Sequence, residues 1–325
     1  MNRTEKGWEN VTMREVGRFP LPQLTKEIKV PRFEGVVPAI ITPMTPSGEV
    51  DEDAFRQVME YNIQAGVHGF WAAGGTGESV LLSDDENLRI ATAAADQNQG
   101  RTNVIMHVGA QTTVRAARNA ESAARAGVEA ICAVPPFFIR PGDEGVIEYY
   151  KTVGAATDLP LFVYNLPQAT GVEITVELMT ALQNEVPQLV GVKHSAFDFN
   201  NIYLFSLMGI KVFTGNGRLM LPALTVGAAG CVDGPPCLAP ELWVEVWEAY
   251  TARDLDRAEA AQSRANEIMD VVVSLGYFGA LKAAVGARLG IETGDPRLPN
   301  LPATPDQKAG VVEALHRLGL MDKVA

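Results

Sequence analysis

From residue 33 onward the chain alternates between short, apolar, β-rich runs and longer amphipathic stretches, and this alternation constrains the fold more than any other feature. Apolar runs of this kind are typical of parallel strands that are buried on both faces. Eight candidate strands follow one another: Val36–Ile41, Gly69–Ala73, Asn103–Val108, Ala130–Val134, Leu161–Tyr164, Leu189–Lys193, Lys211–Thr214 and Gly230–Val232. Strands that alternate with helices in this way indicate an α/β protein with a parallel sheet.

Helical patterns separate the strands, the clearest being Asp53–Ala65, Asp84–Gln97, Thr113–Ala126 and Gly142–Ala155. Gly66, Gly100 and Gly127 stand where helices commonly end, and Ser83 with Glu86 forms a capping box that opens a helix. We therefore predict an α/β fold, a (β/α)8 TIM barrel with a C-terminal helical extension. The competing open, doubly wound sheet normally carries a GxGxxG motif after its first strand, and none is found there.

The strand pattern stops after about residue 233, and four helical patterns follow: Glu241–Arg253, Leu255–Leu275, Gly279–Leu289 and Thr304–Leu320. The first 33 residues also differ from the barrel region, because they are charged, carry three prolines and lack sustained apolar periodicity. We predict three parts, namely an N-terminal arm over residues 1–33, the barrel over 34–235 and a helical region over 236–325.

The composition and charge of the chain limit the partners and the cellular compartment that we expect for it. The chain has 325 residues, of which 47% are hydrophobic and 20% charged, so it can form a full core. A net charge of −12 disfavours nucleic acid and anionic membranes as partners. The longest uncharged apolar stretch, Leu219–Val232, is too short to span a bilayer. No secretory signal is visible and the three cysteines form no CxxC pair, so we predict a cytoplasmic protein.

Lys193 is the most informative single residue, because it ends the apolar run Leu189–Lys193. Burial disfavours the ammonium form of a lysine, and a neutral amine can attack a ketone to form a Schiff base. Taken alone, a lysine at a strand end is more often a surface residue whose stem lies along apolar neighbours. Active groups of a barrel lie at the carboxyl ends of its strands, so the other strand ends decide between these interpretations.

Two further strand ends carry chemistry. The second strand runs into the turn Gly74–Ser79, where glycines allow a ligand to approach the backbone closely and amides can bind an anion. The turn lacks the Lys-Ser/Thr pair of a P-loop, so a small carboxylate suits it better, and a tight turn without a ligand is equally supported. The fifth strand ends in Tyr164, which can transfer a proton or can simply be a rim aromatic.

Together these strand ends resemble the pyruvate-dependent class I lyases that include dihydrodipicolinate synthase and N-acetylneuraminate lyase. The resemblance extends from about Phe33 to Leu320 and rests on Ala39–Pro43, Gly74–Glu78, Tyr164–Pro167, Gly191–Lys193, Thr214–Asn216 and Leu298–Pro299. No one of these motifs is specific, whereas their combination is.

The resemblance implies a role for each matched residue. Lys193 would form the Schiff base with a 2-oxo acid such as pyruvate, and Tyr164 would transfer protons. Gly75 and Thr76 would hold the carboxylate of that acid, with Thr76 also catalytic through its hydroxyl, and the backbone near Val232 would line the same pocket. A protonated imine is an electron sink, so the carbon next to it can become nucleophilic, and carbon–carbon cleavage or loss of a β-hydroxyl can follow.

We expect no cofactor and no metal, because the iminium replaces a Lewis acid and the four histidines show no metal-binding spacing. His194 follows Lys193 and should face the opposite side of its strand, which favours a structural role.

The sequence departs from the family pattern at positions that select the substrate. Ala169 stands where dihydrodipicolinate synthase has an arginine for the aldehyde's carboxylate. The stretch Pro135–Phe138 lacks the tyrosine that a neighbouring subunit supplies in the synthase. Gly217 and Arg218 follow the seventh strand where neuraminate lyases have acidic residues. Both named activities are therefore disfavoured. The Gly74–Glu78 turn also resembles those of deoxy-oxo-sugar-acid dehydratases and aldolases, so we prefer that substrate class.

Three further residues are candidates for substrate binding. Gly215 follows the seventh strand, and Arg218 could replace the missing arginine or could be an exposed helix residue. Phe138, with Phe137 and Trp71, would make the mouth apolar if these rings point inward.

Several alternatives remain at this level. The chain could be a barrel that binds a 2-oxo acid without turnover, or a true dihydrodipicolinate synthase, and a phosphate- or flavin-binding barrel is the weakest option. The resemblance also implies a homotetramer built as a dimer of dimers.

Overall fold

The structure is a computed structural model that describes residues 33–321. Eight parallel strands form its centre: β1 (Gly35–Val36), β2 (Gly69–Ala72), β3 (Asn103–His107), β4 (Ala130–Ala133), β5 (Leu161–Asn165), β6 (Leu189–His194), β7 (Lys211–Thr214) and β8 (Gly230–Cys231). Each strand from β2 to β7 pairs with the next, and β8 pairs with β1. A bridge between Ala39 and Trp71 joins the segment after β1 to β2, so the barrel closes and the predicted TIM barrel is confirmed.

The first strand is much shorter than the predicted Val36–Ile41. Pro38 has no amide hydrogen to donate to a ladder. The segment also changes partner along its length, because the Ala39 amide donates to Asp233 O whereas the Ile40 amide donates to Trp71 O. These bonds connect the segment after β1 first to the residue after β8 and then to β2. The barrel therefore closes without a long, regular first strand.

Twelve α-helices surround and extend the barrel: α1 (Glu52–Gln64), α2 (Asp84–Asn98), α3 (Thr113–Ala126), α4 (Asp143–Ala155), α5 (Pro167–Thr170), α6 (Val176–Glu185), α7 (Asn200–Leu207), α8 (Met220–Thr225), α9 (Pro240–Thr251), α10 (Leu255–Ser274), α11 (Tyr277–Leu289) and α12 (Pro305–Arg317), counted over residues 33–321. The predicted capping box of Ser83 and Glu86 opens α2. No helix of this part of the chain is long and apolar enough to cross a membrane.

The C-terminal helices are confirmed, and they pack on one another and on the barrel. Helix α9 lies against β1, α10 against α9, and α11 against α12. The predicted boundary at residues 235 and 236 stays a prediction. The predicted arm, residues 1–33, lies outside the described residues except for Phe33.

The barrel interior is aromatic and is separate from the core between strands and helices. The interior cluster consists of Phe33, Val37, Ala39, Trp71, Ile105, Ala130, Cys132, Val134, Phe162, Tyr164, Phe213 and Val232. Gly191, two residues before Lys193 on the same face of β6, leaves room for the Phe162 ring, because a Cβ there would lie about 2.5 Å from Phe162 Cε1. Bulky rings therefore fill the barrel below the lysine and form the floor of any site at its mouth.

Candidate active site

Lys193 projects into the carboxyl end of the barrel and is only 4% exposed. Its Nζ lies 4.3 Å from the centroid of the Tyr164 ring and 5.3 Å from that of Trp71. Among residues 33–321 no carboxylate pairs with this amine. An amine that is removed from bulk water and held over aromatic faces, without an ion-pair partner, is well placed to react with a carbonyl.

Tyr164 stands directly beside the lysine, because β5 and β6 pair with Tyr164 opposite Lys193. The ring packs edge-on against Trp71 and is almost fully buried. The parallel register therefore brings a phenol and an amine to the same level of the barrel.

The turn after β2 offers free hydrogen-bond donors. Gly75 is exposed to the cavity and Thr76 is at its wall, and neither backbone amide donates to an acceptor within residues 33–321. The turn itself is closed by bonds from the Glu78 amide to Gly75 O and from the Ser79 amide to Gly74 O. Unpaired amides at the rim of a cavity are suited to a small anion.

Asp233 follows β8 and lines the same cavity, and sequence reasoning did not single it out. Its two carboxylate oxygens accept from the Gly217 and Gly234 amides, each at 2.7 Å. Burial raises the pKa of this carboxyl, and the two amides and Lys193 oppose that rise. The rule that identified Lys193 also applies here, since Asp233 lies at a strand's carboxyl end. Val232, predicted to line the pocket, is fully buried in the barrel interior.

Tyr277 reaches the site from helix α11, far away in sequence. Its hydroxyl lies 3.4 Å from Thr76 Oγ1. Burial raises the pKa of Tyr277 well above its usual value, and the nearby Asp233 carboxylate adds to the rise. Only the packing of the C-terminal helices brings this residue to the barrel mouth, and no local pattern could have predicted it.

These groups line one cavity of about 420 Å³. Its lining also includes the polar side chains of Gln168, Ser195, Thr214 and Asn216 and the backbone of Gly215. The apolar residues Leu166, Ala196, Phe197, Phe199, Ile202, Leu219 and Phe278 complete the wall. Lys193 and Asp233 are the only formally charged side chains among the described residues that line it. The structure thus brings Lys193, Tyr164, Gly75, Thr76 and Gly215 together.

Three of the predicted substrate-binding residues do not line this cavity, namely Arg218, Phe138 and the buried Val232. Arg218 forms an ion pair with Asp270 of α10 at 2.6 Å, which directs its guanidinium along the outside of the site. Phe138 is 93% exposed and does not line the cavity. Phe137 lies in a separate small pocket with His107. Of the three aromatics that were expected at the mouth, only Trp71 lies beside the lysine.

Two buried histidines flank the site. His194 faces away from Lys193 towards Phe205 of α7, and its ring nitrogens bond to Asn165 and to Asp198 O. This arrangement suits a structural residue. His107 accepts from the Val134 amide at 3.4 Å, and burial, together with the charge of Lys193, lowers its pKa to about 4.

The depressed pKa of His107 predicts a pH-dependent stability. Below about pH 6.5 an unfolded chain binds a proton on this histidine, whereas the folded chain does not until about pH 4. Between pH 7 and pH 5 we expect His107 to contribute roughly 2 kcal/mol of the loss in unfolding free energy. In His107→Gln, urea denaturation should show a decrease in unfolding free energy between pH 7 and pH 5 that is smaller by about this amount.

Cys132→Ala is the matched control, since Cys132 is buried opposite His107 in the β3–β4 register. We expect it to lower the stability equally at both pH values. A His107→Gln variant with the pH dependence of the unmodified chain would contradict the prediction.

The fold and the cavity together define a class, that of (β/α)8 barrels with a buried lysine amine at the carboxyl-terminal mouth. The chain belongs to the dihydrodipicolinate synthetase family, whose sequence profile matches residues 32–318. It is therefore a Schiff-base lyase of the class I aldolase type, as the resemblance predicted. Members of this family act on small-molecule substrates.

Individual relatives agree with this assignment. The chain is 35% identical over 291 residues to an uncharacterised DapA-like lyase of Halobacterium salinarum, covering 89% of this chain and 95% of that protein. It is 31% identical to a 4-hydroxy-tetrahydrodipicolinate synthase of Symbiobacterium thermophilum, covering 90% of this chain and all of that protein.

Two solved structures are similar over almost their whole length. A sialic acid aldolase of Ruminococcus gnavus superposes with a TM-score of 0.86 at 25% identity, covering 90% of this chain and 99% of that one. A dihydrodipicolinate synthase from Aquifex aeolicus superposes with a TM-score of 0.83 at 28% identity, covering 89% and 99%.

Proposed function

We propose that this lyase cleaves or dehydrates a 2-oxo-3-deoxy sugar acid, with Lys193 as the amine that forms the Schiff base. The observation that carries the proposal is the geometry of Lys193, whose amine is buried, has no ion-pair partner within residues 33–321 and faces a cavity beside Tyr164. The free amides of Gly75 and Thr76 support a place for the carboxylate of a 2-oxo acid on the opposite wall.

The chemistry follows from these groups. Lys193 Nζ adds to the ketone carbon, and the former ketone oxygen leaves as water once it has received one proton from the amine and one from the Tyr164 phenol. When a bond to C3, the carbon next to the imine carbon, breaks, the iminium accepts its electron pair. In cleavage, the C3–C4 bond breaks and the proton of the C4 hydroxyl goes to Tyr164, which leaves an aldehyde and an enamine. Protonation of the enamine and hydrolysis then release pyruvate and restore the amine.

The lining of the cavity supports a hydroxylated substrate. Ser195 Oγ has no hydrogen-bond partner among the described residues, and Gln168, Thr214 and Asn216 add amides and a hydroxyl around it. Such groups pair with sugar hydroxyls.

The runner-up is a true dihydrodipicolinate synthase, the activity for which several relatives are named. Its aldehyde substrate carries a carboxylate and requires a cation to hold it. Arg218 was the candidate cation, and its ion pair with Asp270 takes it away from the cavity. A barrel that binds a 2-oxo acid without turnover is the other alternative.

The test is to incubate the protein with pyruvate and sodium borohydride, and then to assay a panel of 2-oxo-3-deoxy sugar acids for pyruvate release. We expect a reduced pyruvate adduct on the peptide that contains Lys193, and release of pyruvate or loss of water from at least one acid of the panel. Absence of an adduct would support the inactive barrel. An adduct with turnover only towards carboxylate-bearing aldehydes would support the synthase.

We propose a cytoplasmic location, which the buried, unpaired Cys132, Cys231 and Cys237 support. The family resemblance supports a homotetramer, and light scattering would measure the mass in solution.

A further inference from the structure

The active-site cavity contains a second phenol that the reaction described above does not use. Tyr277, the first residue of α11, lines the cavity together with Tyr164, and its hydroxyl lies 3.4 Å from Thr76 Oγ1. Hydrogen bonds of catalytic groups are often long before a substrate is bound and shorten in the complex. The cavity therefore contains two tyrosines, Tyr164 and Tyr277, from the same chain as Lys193.

The absence of a side chain at Gly234 leaves the space that the Tyr277 hydroxyl occupies. A Cβ on Gly234 would overlap Tyr277 Oη and would lie 2.9 Å from Thr76 Oγ1. Only glycine at position 234 leaves both hydroxyls in place. The residue before it, Asp233, has its carboxylate fixed by the Gly217 and Gly234 amides. The Thr76 and Tyr277 hydroxyls are therefore neighbours, and Asp233, the residue before Gly234, lines the same cavity.

We propose that Tyr277 transfers protons between Thr76 and Asp233 during enamine formation, and that it takes the place of the hydroxyl that the stretch Pro135–Phe138 lacks. The proposal rests on the proposed function, because it needs a Schiff base at Lys193. Tyr277 belongs to the C-terminal helices, so these helices complete the active site of their own chain.

The step balances with the groups present. The C3–H bond of the iminium breaks, and its electron pair forms the C2=C3 bond while the C=N pair returns to nitrogen. Thr76 takes the proton as it gives its own to Tyr277, which in turn gives its proton to the Asp233 carboxylate. The high pKa of Tyr277 keeps its phenol protonated, and the raised pKa of Asp233 makes that carboxylate a better acceptor. The reverse sequence returns a proton to C3.

Pyruvate in deuterium oxide tests this step without knowledge of the natural substrate. A Schiff base that forms and reverses through the enamine replaces the methyl protons of pyruvate by deuterium, which NMR follows. In Tyr277→Phe we expect the exchange to fall by about 10²-fold, which is the usual contribution of a proton-transferring group. Borohydride trapping of pyruvate on Lys193 should change by less than about threefold, since the amine and the carboxylate site are intact.

Two other variants separate proton transfer from folding. Gly234→Ala displaces the Tyr277 hydroxyl while the tyrosine is retained, and should show the same exchange defect. Asp233→Asn removes the charge of the proposed acceptor at nearly constant size, and should also slow exchange more than trapping. Tyr250→Phe is the matched control, because the Tyr250 hydroxyl donates to Leu224 O, far from the cavity, and its loss should leave the exchange unchanged.

The outcomes are distinct. Exchange at the unmodified rate in Tyr277→Phe would overturn the inference and leave the proposed function intact. Trapping and exchange that fall by the same factor would also overturn it, because Tyr277 would then only hold Thr76 in place. A protein that neither traps nor exchanges pyruvate would overturn the proposed function, and this inference with it.

Discussion

Replacing Lys193 with arginine is expected to abolish both borohydride trapping of pyruvate and turnover of any substrate found in the panel. Arginine keeps the positive charge and much of the length, but its guanidinium cannot become a neutral nucleophile in a protein. Because the covalent route then has no amine, we expect the turnover rate to fall by at least about 10⁴-fold. Stopped assays of pyruvate release and mass spectrometry of the trapped protein measure the two effects.

The control for this substitution is Lys282→Arg, which makes the same change at a second lysine that is deeply buried. Lys282 pairs with Glu78 instead of facing the cavity, so its arginine variant should still be trapped by pyruvate where it folds. Trapping that persists in Lys193→Arg would place the reactive amine elsewhere and contradict the assignment.

The second large effect, on the unfolding free energy, is expected when the buried ion pair that joins the β2 turn to the C-terminal helices is broken. Lys282 Nζ lies 2.7 Å from Glu78 Oε1, with side-chain exposures of only 2% and 0%. Glu78 also accepts from the Arg297 amide at 2.7 Å, and Lys282 also donates to Asp295 O. Burial lowers the pKa of Lys282, and the Glu78 carboxylate opposes that shift.

Lys282→Met should lower the unfolding free energy by about 3–5 kcal/mol, because it leaves the Glu78 charge buried without its partner. The double variant Glu78→Gln with Lys282→Met removes both charges and should recover most of that loss. Urea denaturation measures both values. Glu78 lies two residues after Thr76, so we also expect the single variant to trap pyruvate more slowly.

The matched control is Arg125→Met, which breaks the exposed pair with Glu121. An exposed pair contributes less than about 1 kcal/mol, so this variant should remain close to the unmodified protein. A loss of similar size in Lys282→Met and Arg125→Met would show that burial does not control the energy of the Glu78 pair.

The sequence alone predicted the barrel and three residues that the structure places around one cavity. Lys193, Tyr164 and Thr76 each lie at or just after the carboxyl end of a strand, and parallel strands in a barrel bring those ends together whatever the details of packing. Short apolar runs and capping residues are local signals, so they also located most strands and helices. The first strand was overestimated, because the apolar run continues past the point where Pro38 interrupts the pairing.

Residues whose role depends on distant partners were beyond the reach of a local pattern. Arg218 comes after β7 and forms an ion pair with an aspartate on α10, whereas Phe138 comes after β4 and is exposed to solvent. Tyr277 enters the cavity because α11 packs over the barrel mouth and Gly234 leaves it space. Backbone hydrogen bonding and apolar periodicity determine where strand ends lie, whereas the directions of side chains depend on contacts between segments far apart in sequence, and only the tertiary structure decides those.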